Sequence, residues 1–450
     1  MHRKVTHLPT NAPTTRANHP RANRTRANTH EHTLTDQAHL RLPAQLTERS
    51  TRMQPATNTA VLSGINDASF AAGKTKSAIR ELAAWGAARK AAIGAENVFD
   101  FSIGNPSVPA PDCVKASIEK NLTISPLALH GYTAAPGLPE ARAAVAASLN
   151  RRFDTAYHAD DLYLTCGAAA SVSIALQSCV RAGDEVIVIA PYFPEYRVWI
   201  EAAGATCVEV LADAATFHLD INAIDRAITP RTKALIIDSP NNPVGVIYSA
   251  QELQELQNLL CAAQTRTGHP IMVISDEPYR ELTYGDTVPW VPNIISHALV
   301  CYSYSKSLSL PGERIGWVLV PPTNPLHDVL VYAVAGAGRR LGFVCAPALF
   351  QRVLIDCVDA PAPVAAYAKN RAALCEILDD CKLSYVTPQG AFYLWMKSPI
   401  ADAAEFSNHA RARELLLVPS DSFGVPGWLR LGYCAPYDMI VRSRTAFEQL

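Results

Sequence analysis

The sequence lacks an excess of charge of either sign, a long hydrophobic run and any cluster of cysteines. Its 40 Lys and Arg residues nearly balance 41 Asp and Glu residues, and the resulting net charge of −1 gives no strong field for nucleic acid or an anionic membrane. No apolar run reaches the roughly 18 residues that span a bilayer. The 11 cysteines are scattered, without a C-x-x-C pair or a metal-like cluster. We therefore expect a soluble, cytoplasmic protein with unpaired thiols and no metal site.

The first 52 residues differ from the rest of the chain. They hold nine Arg or Lys, three Asp or Glu and six of the 13 His, and the triplet Arg-Ala-Asn occurs three times. They contain no apolar stretch of the kind that forms a secretory signal. A disordered basic arm is one interpretation. We favour another: the native chain begins at Met53, and residues 1–52 are a non-native or disordered extension.

Short apolar runs alternate with helical patterns through the middle of the chain. The runs are continuous, which is typical of strands that are buried on both faces of a parallel sheet. This alternation predicts an α/β fold, in which a mostly parallel seven-stranded sheet is sandwiched by helices. The predicted strands are residues 162–165, 185–190, 206–210, 233–238, 271–276, 298–303 and 315–320.

The pattern changes after about residue 345. Helical stretches there surround short strands at residues 391–395, 415–419 and 428–433. We predict a smaller α+β domain, built from the N-terminal and C-terminal segments. The predicted boundaries are 76–120 for the N-terminal part of the small domain, 121–345 for the large domain and 346–450 for the C-terminal part.

The residues suited to binding and catalysis lie in the loops that follow the strands. In such sheets, ligands bind beyond the carboxyl ends of the strands. Gly167, Ala168 and Ala169 form a small-residue turn that opens a helix, and such a turn can bind phosphate through its backbone N–H groups. An aromatic cluster around Phe193 is suited to stacking on a flat ring. Asn242 lies in a turn before a proline and offers an amide donor. Taken singly, each feature has an ordinary structural explanation.

The residues after two further strands narrow the kind of ligand that the candidate residues could bind. Asp276 ends a buried strand and needs a cationic partner there, and Tyr279 follows three residues later. Lys306 lies among hydroxyl residues after the next strand, and Arg314 follows eight residues later. A flat, cationic, phosphorylated aldehyde fits all of these groups, and pyridoxal 5'-phosphate is such a molecule. The lysine would form a Schiff base, while the carboxylate would pair with the pyridinium nitrogen of a cofactor that acts as an electron sink.

From about Lys76 to its end, the chain resembles the class I aminotransferases of the fold-type I pyridoxal-phosphate enzymes, and within them the aspartate-aminotransferase-like members. The resemblance is carried by S-x-S-K…R-x-G at residues 303–316, N-P-x-G at 242–245 and D-x-x-Y at 276–279, in the order of the family. It implies a transaminase that moves an amino group from an L-amino acid to a 2-oxo acid by ping-pong chemistry.

The resemblance also implies roles for individual residues. Lys306 would hold the cofactor and move the proton, Asp276 would keep the ring nitrogen protonated, and Tyr279 would bond the ring 3-oxygen together with Asn242. Gly104, Asn242 and Arg430 would bind the substrate, with Arg430 on its α-carboxylate. The expected cofactor-binding residues are Lys306, Gly167, Ala168, Ala169, Phe193, Asn242, Asp276, Tyr279, Ser303, Ser305, Arg314 and Tyr132.

The position of Tyr132 matches a tyrosine that reaches the phosphate of the neighbouring subunit, which implies a homodimer with shared active sites. Two departures from the family pattern are visible. Ala168 and Ala169 stand where relatives often carry Gly with a hydroxyl or Lys, so fewer side-chain contacts to phosphate are expected. Val244 replaces the usual threonine and removes only a hydroxyl group.

The substrate and the branch of the reaction stay open at this stage. If Arg339 or Arg340 reaches the partner's site, aspartate or glutamate with 2-oxoglutarate is the natural pair, whereas Phe392 and Tyr393 would suit neutral or aromatic amino acids. A C–S β-lyase, a decarboxylase or a synthase could use the same scaffold. A ligand-sensing module of a transcription regulator would need a DNA-binding domain, and the first 75 residues show no helix-turn-helix pattern.

Overall fold

The computed structural model describes residues 64–75 and 77–450, and the prediction for residues 1–52 lies outside this part. The described helices are α1 (Asp67–Lys74), α2 (Ala78–Ile93), α3 (Asp112–Asn121), α4 (Pro126–His130), α5 (Pro139–Phe153), α6 (Ala168–Cys179), α7 (Glu195–Ala202), α8 (Ile221–Ala227), α9 (Ala250–Thr267), α10 (Tyr304–Ser307), α11 (His327–Leu341), α12 (Ala348–Cys357), α13 (Val364–Asp380), α14 (Ala403–Arg411), α15 (Tyr437–Arg442) and α16 (Arg444–Phe447). Over the described ranges, no helix is long and apolar enough to cross a bilayer.

The strands form three sheets. They are β1 (Phe99–Asp100), β2 (Leu162–Thr165), β3 (Glu185–Ala190), β4 (Thr206–Leu211), β5 (Thr232–Asp238), β6 (Met272–Asp276), β7 (Ala298–Ser303), β8 (Gly316–Leu319), β9 (Tyr385–Val386), β10 (Tyr393–Lys397), β11 (Leu415–Leu416), β12 (Val418–Pro419) and β13 (Trp428–Gly432).

The largest sheet has seven strands in the order β2-β8-β7-β6-β5-β3-β4. Strand β8 runs antiparallel to both of its neighbours, and the other adjacent pairs are parallel. The predicted seven-stranded, mostly parallel sheet is therefore confirmed, and each predicted strand agrees with an observed one to within a residue or so. The reversed direction of β8 brings the start of that strand to the edge where the other strands end.

Helices cover both faces of this sheet. Successive residues of a strand point to opposite faces, so Val186 and Val188 pack with α6 and α11 on one side, while Ile187 and Ile189 pack with α9 on the other. Burial on both faces explains why these strands read as continuous apolar runs.

The two smaller sheets lie in the C-terminal part of the chain and include one N-terminal strand. Strands β12, β13, β10 and β9 form an antiparallel sheet in that order, and β1 pairs with β11 in parallel, with Phe99 opposite Leu415. An N-terminal segment thus joins the C-terminal one, as expected for the smaller α+β domain. The domain boundaries at residues 120 and 345 stay a prediction.

Two of the predicted strands in this region need correction. The strand expected at residues 415–419 is two strands in two sheets, because the chain leaves β1 after Leu416 and pairs with β13 from Val418 onward. The strand expected at 391–395 begins only at Tyr393, because Ala391 has a positive φ of 59° and its N–H bonds the carbonyl oxygen of Leu282. Neither sheet pairing nor a left-handed alanine is visible in an apolar run.

Candidate active site

The site is built where strands of the large sheet end. Thr165 of β2 and Ser303 of β7 both lie opposite Gly316, the first residue of the antiparallel strand β8. This register brings Arg314, two residues before β8, to the same edge as the turn after β2. Asp238 and Asp276 end the neighbouring strands β5 and β6 as register partners. The sequence-predicted residues of five separate loops therefore share one edge.

The turn after β2 forms a cradle for an anion. Gly167 has a φ of 85° and precedes α6, whose first residues are Ala168 and Ala169. A Cβ atom at Gly167 would lie only 2.8 Å from Nη2 of Arg314, so glycine is needed both for the backbone and for this close approach. The N–H groups in the first turn of a helix lack intrahelical acceptors and carry partial positive charge.

Side chains complete this cradle from the other side. Arg314 itself has a positive φ of 52°, and its Nη1 donates to the carbonyl oxygen of Pro311 at 2.9 Å and lies 3.5 Å from Oγ of Ser305. The Oγ atoms of Ser303 and Ser305 are 2.7 Å apart, and Ser303 accepts the Ser305 N–H. No carboxylate among the described residues pairs with Arg314. A guanidinium, two hydroxyls and free helix N–H groups match the donors that bind phosphate.

Lys306 follows β7 and reaches toward the N-terminal segment. Its Nζ donates to the carbonyl oxygen of Gly104 at 2.7 Å and lies 5.3 Å from the ring centre of Phe392. Burial lowers its pKa from 10.5 to about 8, and the positive charges of Arg314 and Arg430 act in the same direction. An amine with this pKa is partly neutral near pH 8, which is the form that acts as nucleophile or base.

Asp276 is buried, and only one of its two carboxyl oxygens has a hydrogen-bond partner in the described part of the chain. The hydroxyl of Tyr196 donates to Oδ2 at 2.6 Å, while Oδ1 has no partner in the described part of the chain. Burial raises the pKa of Asp276 to about 7. An unpartnered buried carboxylate oxygen is unfavourable unless a donor reaches it, so this atom marks the position of a ligand N–H or O–H group.

Tyr196 was not among the predicted site residues. It lies in the aromatic cluster from which only Phe193 was chosen, three residues further along on α7. Phe193 is half-buried, and its ring packs edge-to-face on Tyr196 with centroids 5.7 Å apart. Phe193 lies two residues before α7 begins at Glu195, so helical spacing alone does not predict the contact between the two rings.

Arg430, from β13, is 2% exposed and has no carboxylate partner among the described residues. Its Nη1 lies 3.3 Å from Oδ1 of Asn242, and its Nη2 donates to the carbonyl oxygen of Ser102 at 2.8 Å. Its Nε has no partner within residues 64–75 and 77–450. The ring of Tyr393 lies 4.4 Å from the guanidinium carbon. A buried cation without a counter-charge is costly, so this is a second place suited to an anion.

Gly104 and two tyrosines link Lys306 to Arg430, since Gly104 contacts Lys306 and Tyr393, and Tyr393 packs on Arg430. A Cβ atom on Gly104 would overlap the hydroxyl of Tyr393 and lie 2.9 Å from its Cζ. The hydroxyls of Tyr393 and Tyr279 are 3.3 Å apart, and both side chains are buried. Tyr393 entered the sequence analysis only as a neighbour of the substrate, and the structure makes it a wall of the site.

A chain of contacts fixes the carbonyl group that meets Arg430. Asp100, at the end of β1, accepts hydrogen bonds from both Oγ of Ser102 at 2.6 Å and its N–H at 3.0 Å. Lys90 of α2 pairs with the other oxygen of Asp100 at 2.7 Å. Neither Asp100 nor Ser102 carries a motif that sequence reasoning could have detected.

Three residues named in the sequence analysis do not join this site within one chain. Tyr132 is 99% exposed, and Arg339 and Arg340 are exposed at the C-terminal end of α11. Their expected roles involve a second subunit and stay predictions.

Over residues 64–75 and 77–450, no group of three or more His, Cys, Asp or Glu side chains could hold a metal ion.

Comparison with known proteins gives consistent matches. The family described as "Aminotransferase class I and II" matches residues 96–440. A crystal structure of an amino transferase from Eubacterium rectale is 48% identical, with a TM-score of 0.83, and the match covers 86% of this chain and 98% of that one.

Two curated relatives match at 29% identity. The aspartate aminotransferase of Streptomyces avermitilis aligns over 78% of this chain and 89% of its own length. The valine–pyruvate aminotransferase of Mycobacterium tuberculosis aligns over 70% and 78%. The names of these relatives cover both an acidic and an apolar amino acid, so similarity at this level does not select a substrate.

Proposed function

The chain belongs to the class I and II aminotransferases, and from this premise we propose that it transfers an amino group from an L-amino acid to a 2-oxo acid with pyridoxal 5'-phosphate as cofactor. The observation that carries the proposal is that Arg314 and Arg430 both lower the pKa of the Lys306 amine, and neither guanidinium has a carboxylate partner among the described residues. One guanidinium suits the phosphate of the cofactor and the other suits the carboxylate of the substrate.

The residues at the sheet edge fit this cofactor. The turn at Gly167, Ala168 and Ala169, with Ser303, Ser305 and Arg314, would hold the phosphate. The unpartnered Oδ1 of Asp276 supports its assignment to the ring nitrogen, because a protonated pyridine nitrogen is the donor that this atom lacks. Phe193 would cover the ring, while Asn242 and Tyr279 would meet its 3-oxygen. When bound, the cofactor forms a covalent bond with amines through its aldehyde carbon, and its ring withdraws the electron pair that remains when the α-carbon loses a proton.

The side chains supply binding and proton transfer. Nζ of Lys306 would remove the proton from the α-carbon and return it to the cofactor side, since burial lowers its pKa to about 8 and keeps part of the amine neutral near that pH. Arg430 would bind the α-carboxylate through Nη1, Nη2 and the unpartnered Nε. Tyr393 and Tyr279 are both buried beside these two groups and would help to keep water from them.

We also propose a cytoplasmic homodimer. The face around the fully exposed Tyr132 carries other large exposed apolar side chains, including Leu127 on α4 at 88% exposure. A second copy would cover such side chains and bring the partner's Tyr132 to the phosphate. All 11 cysteines are free in the described structure, which is consistent with a reducing compartment.

The substrate pair proposed first is aspartate with 2-oxoglutarate, which requires Arg339 or Arg340 to act from the second subunit. Aromatic or neutral amino acids are the competing class, because Phe392 and Tyr393 line the site. Arg339→Gln and Arg340→Gln distinguish the classes. Loss of activity that is confined to dicarboxylic substrates supports the acidic pair, and unchanged selectivity rules it out.

A single-turnover titration tests the reaction itself. Protein loaded with pyridoxal 5'-phosphate is mixed with one amino acid at a time, without an oxo acid. We expect stoichiometric conversion of the cofactor to pyridoxamine phosphate and release of one oxo acid per site. Accumulation of pyruvate and ammonia with unchanged cofactor would instead establish a β-lyase.

A further inference from the structure

Asp238 is a buried carboxyl group next to the proposed ring-nitrogen site. It ends β5, its backbone is the register partner of Asp276 on β6, and both residues are 5% exposed. Register partners on adjacent parallel strands direct their side chains to the same face of the sheet. The two carboxyl groups therefore lie side by side at the edge where the cofactor would bind.

Each carboxyl group has one satisfied and one unsatisfied oxygen. Oδ2 of Asp238 accepts the backbone N–H of Asn242 at 2.8 Å, and Oδ2 of Asp276 accepts the Tyr196 hydroxyl at 2.6 Å. Both Oδ1 atoms have no partner in the described residues. No Lys, Arg or His among those residues forms an ion pair with either carboxyl group.

The titratable groups around the pair supply no direct positive charge. They are Tyr196, Tyr248, Glu277, Tyr279, Cys301 and Tyr393. The tyrosines and the cysteine are neutral at pH 7, since burial raises the pKa of each. Glu277 is already paired with Arg280. The nearest guanidinium contact is indirect, through the bond between Asn242 and Arg430.

Two carboxylates in such surroundings cannot both be ionised without a large penalty. Burial, followed by the charge of Asp276, raises the pKa of Asp238 well above its ordinary value. Asp276 has a donor in Tyr196 that stabilises its anion, and a ring nitrogen would add a cation. Asp238 has only one backbone donor. The proton therefore belongs on Asp238 when one of the two groups is ionised.

We propose that Asp238 and Asp276 form a carboxyl pair that carries a single proton in the cofactor-loaded protein, with Asp276 as the anion facing the ring nitrogen and Asp238 as the neutral acid that positions the Asn242 turn. The part of this assignment that places Asp276 at the ring nitrogen of the cofactor rests on the proposed function. Asp238 is a positioning residue, because it acts through Asp276 and Asn242.

Infrared spectroscopy of protein labelled with ¹³C on the aspartate side-chain carboxyl tests the assignment. In loaded wild-type protein at pH 8, we expect a protonated-carboxyl C=O band that shifts with the label. Asp238→Asn, which is isosteric, should abolish the band. Asp276→Asn should keep it, whether or not that variant binds cofactor. A wild-type spectrum with only carboxylate bands, or a band that survives in Asp238→Asn, would overturn the proposal.

Cofactor affinity gives a second readout. Asp238→Asn exchanges one neutral group for another, so the dissociation constant of pyridoxal 5'-phosphate at pH 7.5 should stay within about twofold of wild type. A change of tenfold or more would mean that Asp238 carries a charge. If wild-type protein shows no cofactor absorbance at all, the proposed function fails, and the infrared comparison of the cofactor-free proteins still decides where the proton is.

Discussion

The amine of Lys306 is hydrogen-bonded to the carbonyl oxygen of Gly104, which lies 202 positions earlier in the chain, at 2.7 Å. This bond joins the end of a strand in the large sheet to the loop that follows β1. It holds the amine in the space between the proposed phosphate and carboxylate sites while leaving its pKa at about 8. The reactive group is thus oriented before any ligand is present.

Replacing Lys306 should leave the fold intact and remove the covalent chemistry. We expect Lys306→Ala to lose activity by at least about 100-fold, because both the attachment point and the base are missing. Borohydride treatment followed by peptide mass spectrometry should find no cofactor adduct. Lys397→Ala, which changes an exposed lysine, is the matched control and should be labelled like wild type. An adduct on another lysine in Lys306→Ala would refute the assignment.

The fit between Gly104 and Tyr393 makes a paired prediction. Gly104→Ala should raise the KM for the amino acid by roughly 5- to 150-fold, as expected for overpacking by about 1–3 kcal/mol. Tyr393→Phe removes the hydroxyl that the new methyl group would overlap. The double variant should therefore recover part of the loss, and steady-state kinetics of the four proteins measures this coupling. Purely additive effects would mean that the two residues do not meet.

Arg430 should affect substrate binding far more than cofactor binding. Truncating a buried charged partner costs about 2–5 kcal/mol, so Arg430→Gln should raise the KM of the amino acid at least about 30-fold. The dissociation constant of pyridoxal 5'-phosphate, measured by absorbance, should hardly change. An unchanged KM would exclude Arg430 as the carboxylate-binding residue.

Asp100 should affect substrate binding indirectly, through Ser102 and Arg430. Asp100→Ala leaves the Ser102 hydroxyl and N–H without their acceptor, and a loosened Ser102 carbonyl would position Arg430 less well. A loss of about 1 kcal/mol corresponds to a KM roughly fivefold higher, with kcat nearly unchanged. Lys90→Met is the control, because it removes the ion pair but leaves both hydrogen bonds from Ser102 to Asp100 in place. Equal effects on kcat and KM would contradict a positioning role.

Asp276 and Lys306 are two buried groups that contribute to the pH dependence of stability in cofactor-free protein. The pKa of Asp276 is raised from 3.8 to about 7, so its contribution to stability is complete below pH 4 and is lost as the pH rises through 7. The pKa of Lys306 is lowered from 10.5 to about 8, so its contribution is complete above pH 10.5 and is lost as the pH falls through 8. Thermal unfolding should therefore show the largest destabilisation from this pair near pH 7–8.

Variants separate the two contributions. Asp276→Asn should reduce the decline between pH 4 and 7 and leave the part that belongs to Asp238, whose pKa is also raised by burial. Lys306→Met should remove the rise between pH 8 and 10.5. Pyridoxal 5'-phosphate should stabilise wild-type protein most strongly within the same window. Unfolding temperatures that respond to pH identically in wild type and Asp276→Asn would contradict the burial of an unpaired carboxyl group.

The sequence was informative wherever a loop directly follows an apolar strand. Asp276, Lys306 and the turn at Gly167 could be placed in one site because parallel strands end at one edge of a sheet. Arg314 was included through its motif, but its position depends on the reversed direction of β8, which periodicity does not reveal. The family was likewise predictable from the order and spacing of these motifs, and the fold class from the alternation of apolar runs with helical patterns.

Other site residues depend on contacts between distant segments. Tyr196 becomes a partner of Asp276 only when α7 packs over the sheet edge. Ser102 meets Arg430 through a backbone carbonyl, which any residue could provide. Asp238 ends a strand as Asp276 does, yet nothing in the order of residues distinguishes the acid proposed to bind the cofactor from the acid beside it. The exposed Tyr132 can be evaluated only with a second copy of the chain.

The pairing of β1 with β11 has a consequence for biosynthesis. The residues proposed to bind the cofactor have all been translated once Arg314 has been added to the chain, whereas Arg430 and β11, the partner of β1, are translated near the end. A nascent chain could therefore acquire its cofactor-binding edge before it can recognise an amino acid. The arginine proposed to recognise the substrate would thus be the last of the site residues to be made, and a truncation that removes the final strand would leave the cofactor-binding edge without the group that selects the amino acid.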